Sequence, residues 1–302
     1  MDVEKTKKMV DDAIGALASA LEQGESDTLK AYLAAMGRFH RYSLGNAMLI
    51  AFARPGATRV AGFRTWQKLG RRVRKGELGI AILAPIARRR KPRTEAKERT
   101  GPDERNERAS SDAGPTVLGF RTAYVFDVAQ TDGKELAEFA KIEGGPIAEL
   151  ARLKQHVTEQ GLQLRYAGHL GGAEGMSVGG TIVLRAGQAA PEEFSTLVHE
   201  LAHERLHHDG VQRSRVVKET EAEAVAYAVN AAVGLELNSA SRDYIHLYDG
   251  KKEALIASLE RIRSVATEII GAVLSDRSVD ENSAGSNSGG TVVTTSRRQA
   301  AA

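Results

Sequence analysis

His199, Glu200 and His203 stand in the order His-Glu-x-x-His within the apolar run Leu197-Val198-His199-Glu200-Leu201-Ala202-His203. Histidines four residues apart on a helix differ by about 400° of rotation, so both imidazoles leave one face a turn apart and can share a tetrahedral zinc ion. Glu200 lies about 100° round from His199, where its carboxylate reaches a water beside the metal instead of the metal itself. That geometry makes Glu200 the general base of a metal-assisted hydrolysis. Pro191 opens the predicted helix at a position whose N–H has no helical partner, and Leu197, Leu201 and Ala202 supply the side that seats it in a core. His207 and His208 are read as bystanders to the site; His207, one turn beyond His203, could extend the row, but in the last turn it is read as a complement to the helix dipole.

A zinc that does chemistry takes three protein ligands and keeps a position open. The chain has no cysteine, so the third ligand must be His or a carboxylate. The segment Glu219-Thr220-Glu221-Ala222-Glu223-Ala224-Val225-Ala226 offers one. Glu219, Ala222, Glu223 and Ala226 fall at i, i+3, i+4 and i+7 and share a helix face, and the alanines allow close approach to the zinc helix. Glu221 points elsewhere. Glu219 is therefore the expected ligand and Glu223 the residue expected to orient a ligand histidine from behind. Glu221 and Glu223 remain the alternatives for the ligand role.

The net charge of the 302-residue chain is only +3, but its distribution is uneven. From Arg64 to Arg93 the bases are Arg64, Lys68, Arg71, Arg72, Arg74, Lys75, Arg88, Arg89, Arg90, Lys91 and Arg93, with Glu77 the sole acid. Such an excess suits a polyanion. Trp66 lies among these cations, and rings set between cations are what single-stranded nucleic acid uses: bases stack while Lys and Arg follow phosphates. Phe63 and Tyr42 can extend that platform. The alternative is that Trp66 and Phe63 are core residues of a small α+β domain, since a large ring is buried on average.

The elements that must position these groups are legible in the hydrophobic pattern. Helices are predicted over Val3–Gln23, Leu29–Arg41, Asn46–Ala53, Arg64–Leu69, Ile147–Gln160, from Pro191 through the metal motif, Val216–Val233 and Lys251–Leu274. Strands are predicted over Ile80–Pro85, Val117–Val128 and Thr181–Arg185. Gly171–Gly180 reads as a glycine-rich turn region, and Thr181–Arg185 as the edge beside which an extended substrate would pair. Residues 88–115 and 276–302 are polar and poor in large apolar groups, and are expected to be a disordered loop and tail. The charged start lacks a secretory pattern, no apolar run suits a bilayer, and the absence of cysteine fits a reducing compartment, so a cytoplasmic protein without a membrane partner is expected.

Several linked motifs in the first half resemble the N-terminal domain of ArdC-type antirestriction proteins. They are Tyr42-Ser43 with Asn46-Ala47-Met48-Leu49-Ile50, then Ala61-Gly62-Phe63-Arg64-Thr65-Trp66-Gln67-Lys68-Leu69-Gly70-Arg71, Lys75-Gly76-Glu77, Ile80-Ala81-Ile82-Leu83-Ala84-Pro85, and Val125-Phe126-Asp127-Val128 with Gln130-Thr131. The resemblance runs from about Ala31 to Gly133. It implies a single-stranded DNA-binding domain, with Tyr42, Asn46, Arg64, Trp66, Lys68, Arg71, Arg72, Arg74 and Lys75 as candidate DNA residues. One position departs from the family: Ala53 precedes Arg54-Pro55 where relatives often carry Gln. The second half resembles the metallopeptidase domain that accompanies it and, more distantly, the ImmA and IrrE peptidases, whose Glu, Ala, acid or amide, and Ala fall on Glu219, Ala222, Glu223 and Ala226.

The resulting expectation is an α+β chain in two parts. Residues 1–135 form an α+β single-stranded DNA-binding domain, and 136–275 a mostly helical zincin-like metallopeptidase domain with a small sheet. The implied role is protection of incoming DNA on a mobile element, with a zinc cofactor and a protein or peptide substrate. Two other roles fit the same residues: a peptidase that cleaves a DNA-bound repressor, and a non-catalytic DNA-binding protein with a structural zinc fold.

Overall fold

The computed structural model describes residues 2–88, 116–136, 146–207, 210–235, 247 and 251–274. The chain begins with three helices, α1 (Val3–Glu22), α2 (Ser26–Arg38) and α3 (Leu44–Ala53). Asp2 caps the first by accepting the Glu4 N–H, and Ser43 caps the third by accepting that of Asn46. Next come β1 (Val60–Gly62), α4 (Phe63–Lys68), β2 (Arg71–Val73), β3 (Ile80–Arg88), β4 (Thr116–Asp127) and β5 (Thr131–Gly133). Strands β1, β4 and β3 form an antiparallel sheet in that order, and β2 pairs with β5. Ile80, Ile82 and Val125 join the helical core that includes Leu29, Leu33, Met36 and Ile50. The fold is α+β, as expected.

The second half carries α5 (Ile147–Glu159), β6 (Gln163–Ala167), β7 (Gly175–Ser177), β8 (Thr181–Arg185), α6 (Ala190–Leu206), α7 (Arg215–Val233) and α8 (Lys252–Val273). Its sheet has the order β6-β8-β7, with β6 parallel to β8 and β7 antiparallel to it. This corrects the expectation for Thr181–Arg185. That strand is central, with both backbone edges already paired; the edge strands are β6 and β7, and it is β7 that lies against α6. It lies inside the stretch read as a turn, because three residues among glycines carry too little apolar alternation to announce a strand.

Apolar packing runs without a break between the halves. Buried residues of α1, α2 and α3 share one cluster with those of α6, α7 and α8. Helices α2 and α7 meet so closely that a Cβ built on Gly37 would lie 2.1 Å from the carbonyl oxygen of Ala228. From α8, Lys252 Nζ donates to the Asp11 carbonyl at 3.0 Å and Thr267 Oγ1 to that of His40 at 3.1 Å. Residues 137–145, just past the boundary expected between 135 and 136, lie outside the described residues, as do 89–115 and 275–302. No helix among the described residues is long and apolar enough to cross a membrane.

Candidate metal centre

Helix α6 holds His199 and His203 one turn apart with their Nε2 atoms 3.1 Å from each other, and α7 brings Glu219 across to them. One Glu219 oxygen, Oε2, lies 3.5 Å from both imidazole Nε2 atoms. The three donor atoms fall within 4.8 Å of one another, and two imidazole nitrogens with a carboxylate oxygen are a donor set that suits a divalent metal ion. Behind His199, the Glu223 Oε2 lies 3.5 Å from Nδ1. The structure thus brings together His199, His203, Glu219 and Glu223, with Glu219 at the imidazole nitrogens and Glu223 behind one ring.

The electrostatics of the cluster favour a positive charge in its centre. Burial works against a charged His199 ring, but the Glu219 and Glu223 carboxylates beside it prevail and raise its pKa to about 9. His203 is pushed down to about 4, first by burial and then by the neighbouring His199 charge. Glu219 is held down at about 2, chiefly by its hydrogen bond with His199.

Glu200 occupies a different environment. It is buried, and burial raises its pKa above the ordinary carboxylate value even though the His199 charge opposes this. The Ser177 backbone in β7 acts in the same direction as the His199 charge, lowering that pKa. Strand and helix come close here because residue 175 has no side chain. A Cβ on Gly175 would lie 2.7 Å from Thr196 Cγ2 and 2.8 Å from Glu200 Cγ. We expect Gly175→Ala to cost about 1–3 kcal/mol in urea denaturation, the range for overpacking. It should also shift Glu200 while leaving metal uptake intact, because His199, His203 and Glu219 are not among the nearest atoms to that Cβ.

One turn beyond Glu200, Glu204 fixes the strand from its other end. Its carboxylate accepts from Ser177 Oγ at 2.6 Å, from the Gly179 N–H at 3.0 Å and from the Gly180 N–H at 2.9 Å. Gly179 and Gly180 both have positive φ, the requirement of the tight hairpin turn between β7 and β8. The Glu204 contact was missed from the sequence, since a helix Glu has no pattern that distinguishes an anchor from a solvated charge.

Behind His203 the structure corrects the reading of His207 and agrees with the reading that Glu221 points elsewhere. His207 is not a free complement to the helix dipole: its Nδ1 lies 3.1 Å from His203 Nδ1, and its Nε2 lies 3.2 Å from Glu221 Oε2. Glu221 is fully buried and faces away from the donor triad, accepting from Ser258 Oγ and Arg261 Nη2 of α8. With its oxygens so engaged, Glu221 is not placed as the alternative metal ligand.

The candidate DNA residues divide into two groups. Trp66 is fully buried and donates Nε1–H to the Phe126 carbonyl at 2.9 Å, so no ring face is left for a base. Buried Asn46 donates to the Leu83 carbonyl and accepts its N–H, each at 2.8 Å, tying α3 to β3. Both are structural, which corrects the reading of each as a contact. Tyr42 is partly buried against the core, edge-on to Phe39. Arg71 donates to Thr131 Oγ1 and to the carbonyls of Thr131, Gly133 and Lys134, clamping β2 to β5. Arg74 is held by Glu77, Asp132 and the Ala129 carbonyl. Arg64, Lys68, Arg72 and Lys75 are exposed.

Aromatic surface adjoins one of these cations, Arg64. Phe63, next to Arg64 in α4, is 49% exposed and meets Phe126 edge-on at 6.4 Å. Tyr124, also exposed, shares with Phe126 the wall around Gly79. Phe120 is on the same face of β4 by strand alternation and is likewise exposed. Asp127, which ends β4, is buried; its carboxylate accepts the N–H groups of Thr58, Arg59 and Ala129, and its own N–H is bonded by Gln130. The Asp127 and Gln130 of the sequence motif thus secure the fold around this face.

What the fold and site define is an α+β protein whose metal-donor helix rests on a helical and sheet framework shared with a basic N-terminal half. Residues 5–126 match the family model described as the N-terminal domain of anti-restriction factor ArdC, so this part of the chain is an ArdC-type N-terminal domain. A curated relative, the uncharacterized protein pXO2-81 of Bacillus anthracis, is 26% identical over 280 residues, covering 82% of this chain and 47% of its own length. The chain therefore spans about half the length of that relative. Two crystal structures of antirestriction ArdC from plasmid R388 are also similar, each at 16% identity. The Mn(II)-bound one has a TM-score of 0.48, over 87% of this chain and 97% of the other; the metal-free one has 0.45, over 76% and 85%.

Proposed function

We propose that this chain is a single-stranded DNA-binding protein with a zinc-dependent peptidase centre, acting in the protection of incoming DNA. The observation that carries the hydrolytic half is the convergence of His199, His203 and Glu219 beside a buried Glu200 that abuts an edge strand. His199, His203 and Glu219 would hold the metal, which supplies Lewis acidity toward a peptide carbonyl and toward water. Glu200, with its proton affinity raised by burial, takes a proton from the attacking water and returns it to the leaving amine.

Strand β7 supports extended binding of a peptide. Arg185 N–H bonds the Glu174 carbonyl and Val178 N–H the Thr181 carbonyl, so residues 174 and 178 face β8. The ladder alternates, which turns the backbone of Gly175 and Ser177 outward. An extended chain laid along that edge would run past Glu200.

For the N-terminal half, exposed Phe63, Tyr124 and Phe120 offer faces to unpaired bases, and exposed Arg64, Lys68, Arg72 and Lys75 suit phosphates. Affinity for a single-stranded oligonucleotide should fall steeply with salt through counterion release. Phe63→Ala and Tyr124→Ala should each weaken binding by about 1–3 kcal/mol if a base stacks there. Arg64→Ala and Lys68→Ala should shallow the salt slope. Fluorescence anisotropy at several salt concentrations, run alongside metal analysis and peptide hydrolysis by zinc-loaded and chelator-stripped protein, tests both halves. Binding that ignores salt removes the DNA reading; purified protein that takes up no zinc removes the metal reading.

A further inference from the structure

Glu219 and Glu223 do not account for how His203 is oriented. His199 has Glu223 against its Nδ1, but among the described residues no carboxylate is bonded to the Nδ1 of His203; that atom meets the Nδ1 of His207 at 3.1 Å. His207 in turn reaches Glu221, and Glu221 is bonded on its other oxygen by Ser258 and Arg261. The chain of contacts runs from α8 through α7 to the end of α6 and stops at the metal-facing ring. Its two middle members are buried: the His207 side chain is 4% exposed and that of Glu221 is 0%.

Only one arrangement of protons satisfies every member with neutral rings. Glu221, an acceptor on both oxygens, takes the Nε2–H of His207. His207 then has a bare Nδ1, which accepts the Nδ1–H of His203. His203 is left with a bare Nε2, the atom that lies 3.1 Å from His199 Nε2 and 3.5 Å from Glu219. A metal ligand needs that lone pair, and a histidine presents it at one nitrogen when the other is held as a donor.

We infer that His207 is a positioning residue for the metal centre, holding His203 in its metal-ready tautomer through a support that ends on the buried Glu221 carboxylate. This rests on the reading that His199, His203 and Glu219 bind a metal. It gives the two histidines unlike supports, a carboxylate directly behind His199 and a second imidazole interposed behind His203. The anionic end of the support also makes His203 Nε2 a better donor, since each hydrogen bond passes part of the charge to the next ring.

The test compares wild type with His207→Leu and His207→Gln. Leucine keeps bulk and removes both polar atoms; glutamine keeps a carbonyl that can accept from His203 and an amide that can donate to Glu221. Zn2+ affinity is measured by competition with a chromogenic chelator, and the His203 tautomer by nitrogen-15 NMR of the metal-free protein. For His207→Leu we expect Zn2+ affinity to fall about 10- to 100-fold, the usual effect of removing such a partner. His203 should then populate both tautomers, and His207→Gln should restore affinity and tautomer toward wild type. Circular dichroism of each variant separates these effects from misfolding. A His207→Leu protein with unchanged affinity and an unchanged His203 tautomer overturns the inference. If wild type binds no Zn2+, the metal reading falls, and an unaltered His203 tautomer in His207→Leu still rejects the positioning role.

Discussion

Glu200→Gln is expected to lower peptide hydrolysis by the zinc-loaded protein about 10²- to 10⁴-fold, the range for losing a general base. Zinc content should stay near that of wild type. The two effects separate because Glu200 is not among the donor atoms: the triad is His199, His203 and Glu219. Glutamine fills nearly the same volume, so the close approach to Gly175 survives. What it lacks is an atom that can take a proton. The measurement is hydrolysis of a peptide library alongside metal analysis of the same sample. Equal hydrolysis by wild type and variant would exclude Glu200 as the base; loss of zinc as well would mean the substitution had disturbed the triad.

The second large effect concerns the fold. Trp66→Ala is expected to cost about 3–5 kcal/mol, as for other large aromatic residues truncated in a core. The residue is fully buried, and its Nε1–H serves the Phe126 carbonyl, so the variant leaves a cavity and an unpaired backbone acceptor together. Urea denaturation measures this directly. Phe63→Ala, three residues earlier and half-exposed, should leave the midpoint nearly unchanged while weakening DNA binding. If instead Trp66→Ala kept full stability and lost only DNA affinity, the ring would be acting at the surface.

That contrast marks where sequence reading succeeds and where it stops. The juxtaposition of His199, His203 and Glu219 was legible because a helix has a fixed period: four residues bring His199 and His203 to one face, and i, i+4 does the same for Glu219 and Glu223. The long helices and β8 were legible for the same reason. What could not be read were matters of distance across the fold. Trp66 lies among cations in sequence, but α4 rolls its ring inward. Arg71 and Arg74 look like a basic patch, but residues about sixty positions later take their donors. The strand beside Glu200 was hidden because its register comes from pairing with β8 and from Glu204, neither of which shows as alternation in three residues. His207 and Glu221 gave no signal, because the support they form exists only when α6, α7 and α8 are packed.

The contact of Gly37 with Ala228 has a bearing on how this chain could arise and be altered. A helix crossing that admits no side chain on one partner is a fitted pair, and a fitted pair exchanges as a unit. Recombination that joined this N-terminal half to another metal-bearing half would bring a new α7 against α2, and most such helices would meet Gly37 at the wrong height. Substitutions in α2 and α7 are therefore expected to be tolerated in matched combinations sooner than singly. The same holds for protein fragments: a chain stopped near residue 135 retains α2 without the helix on which Gly37 is seated.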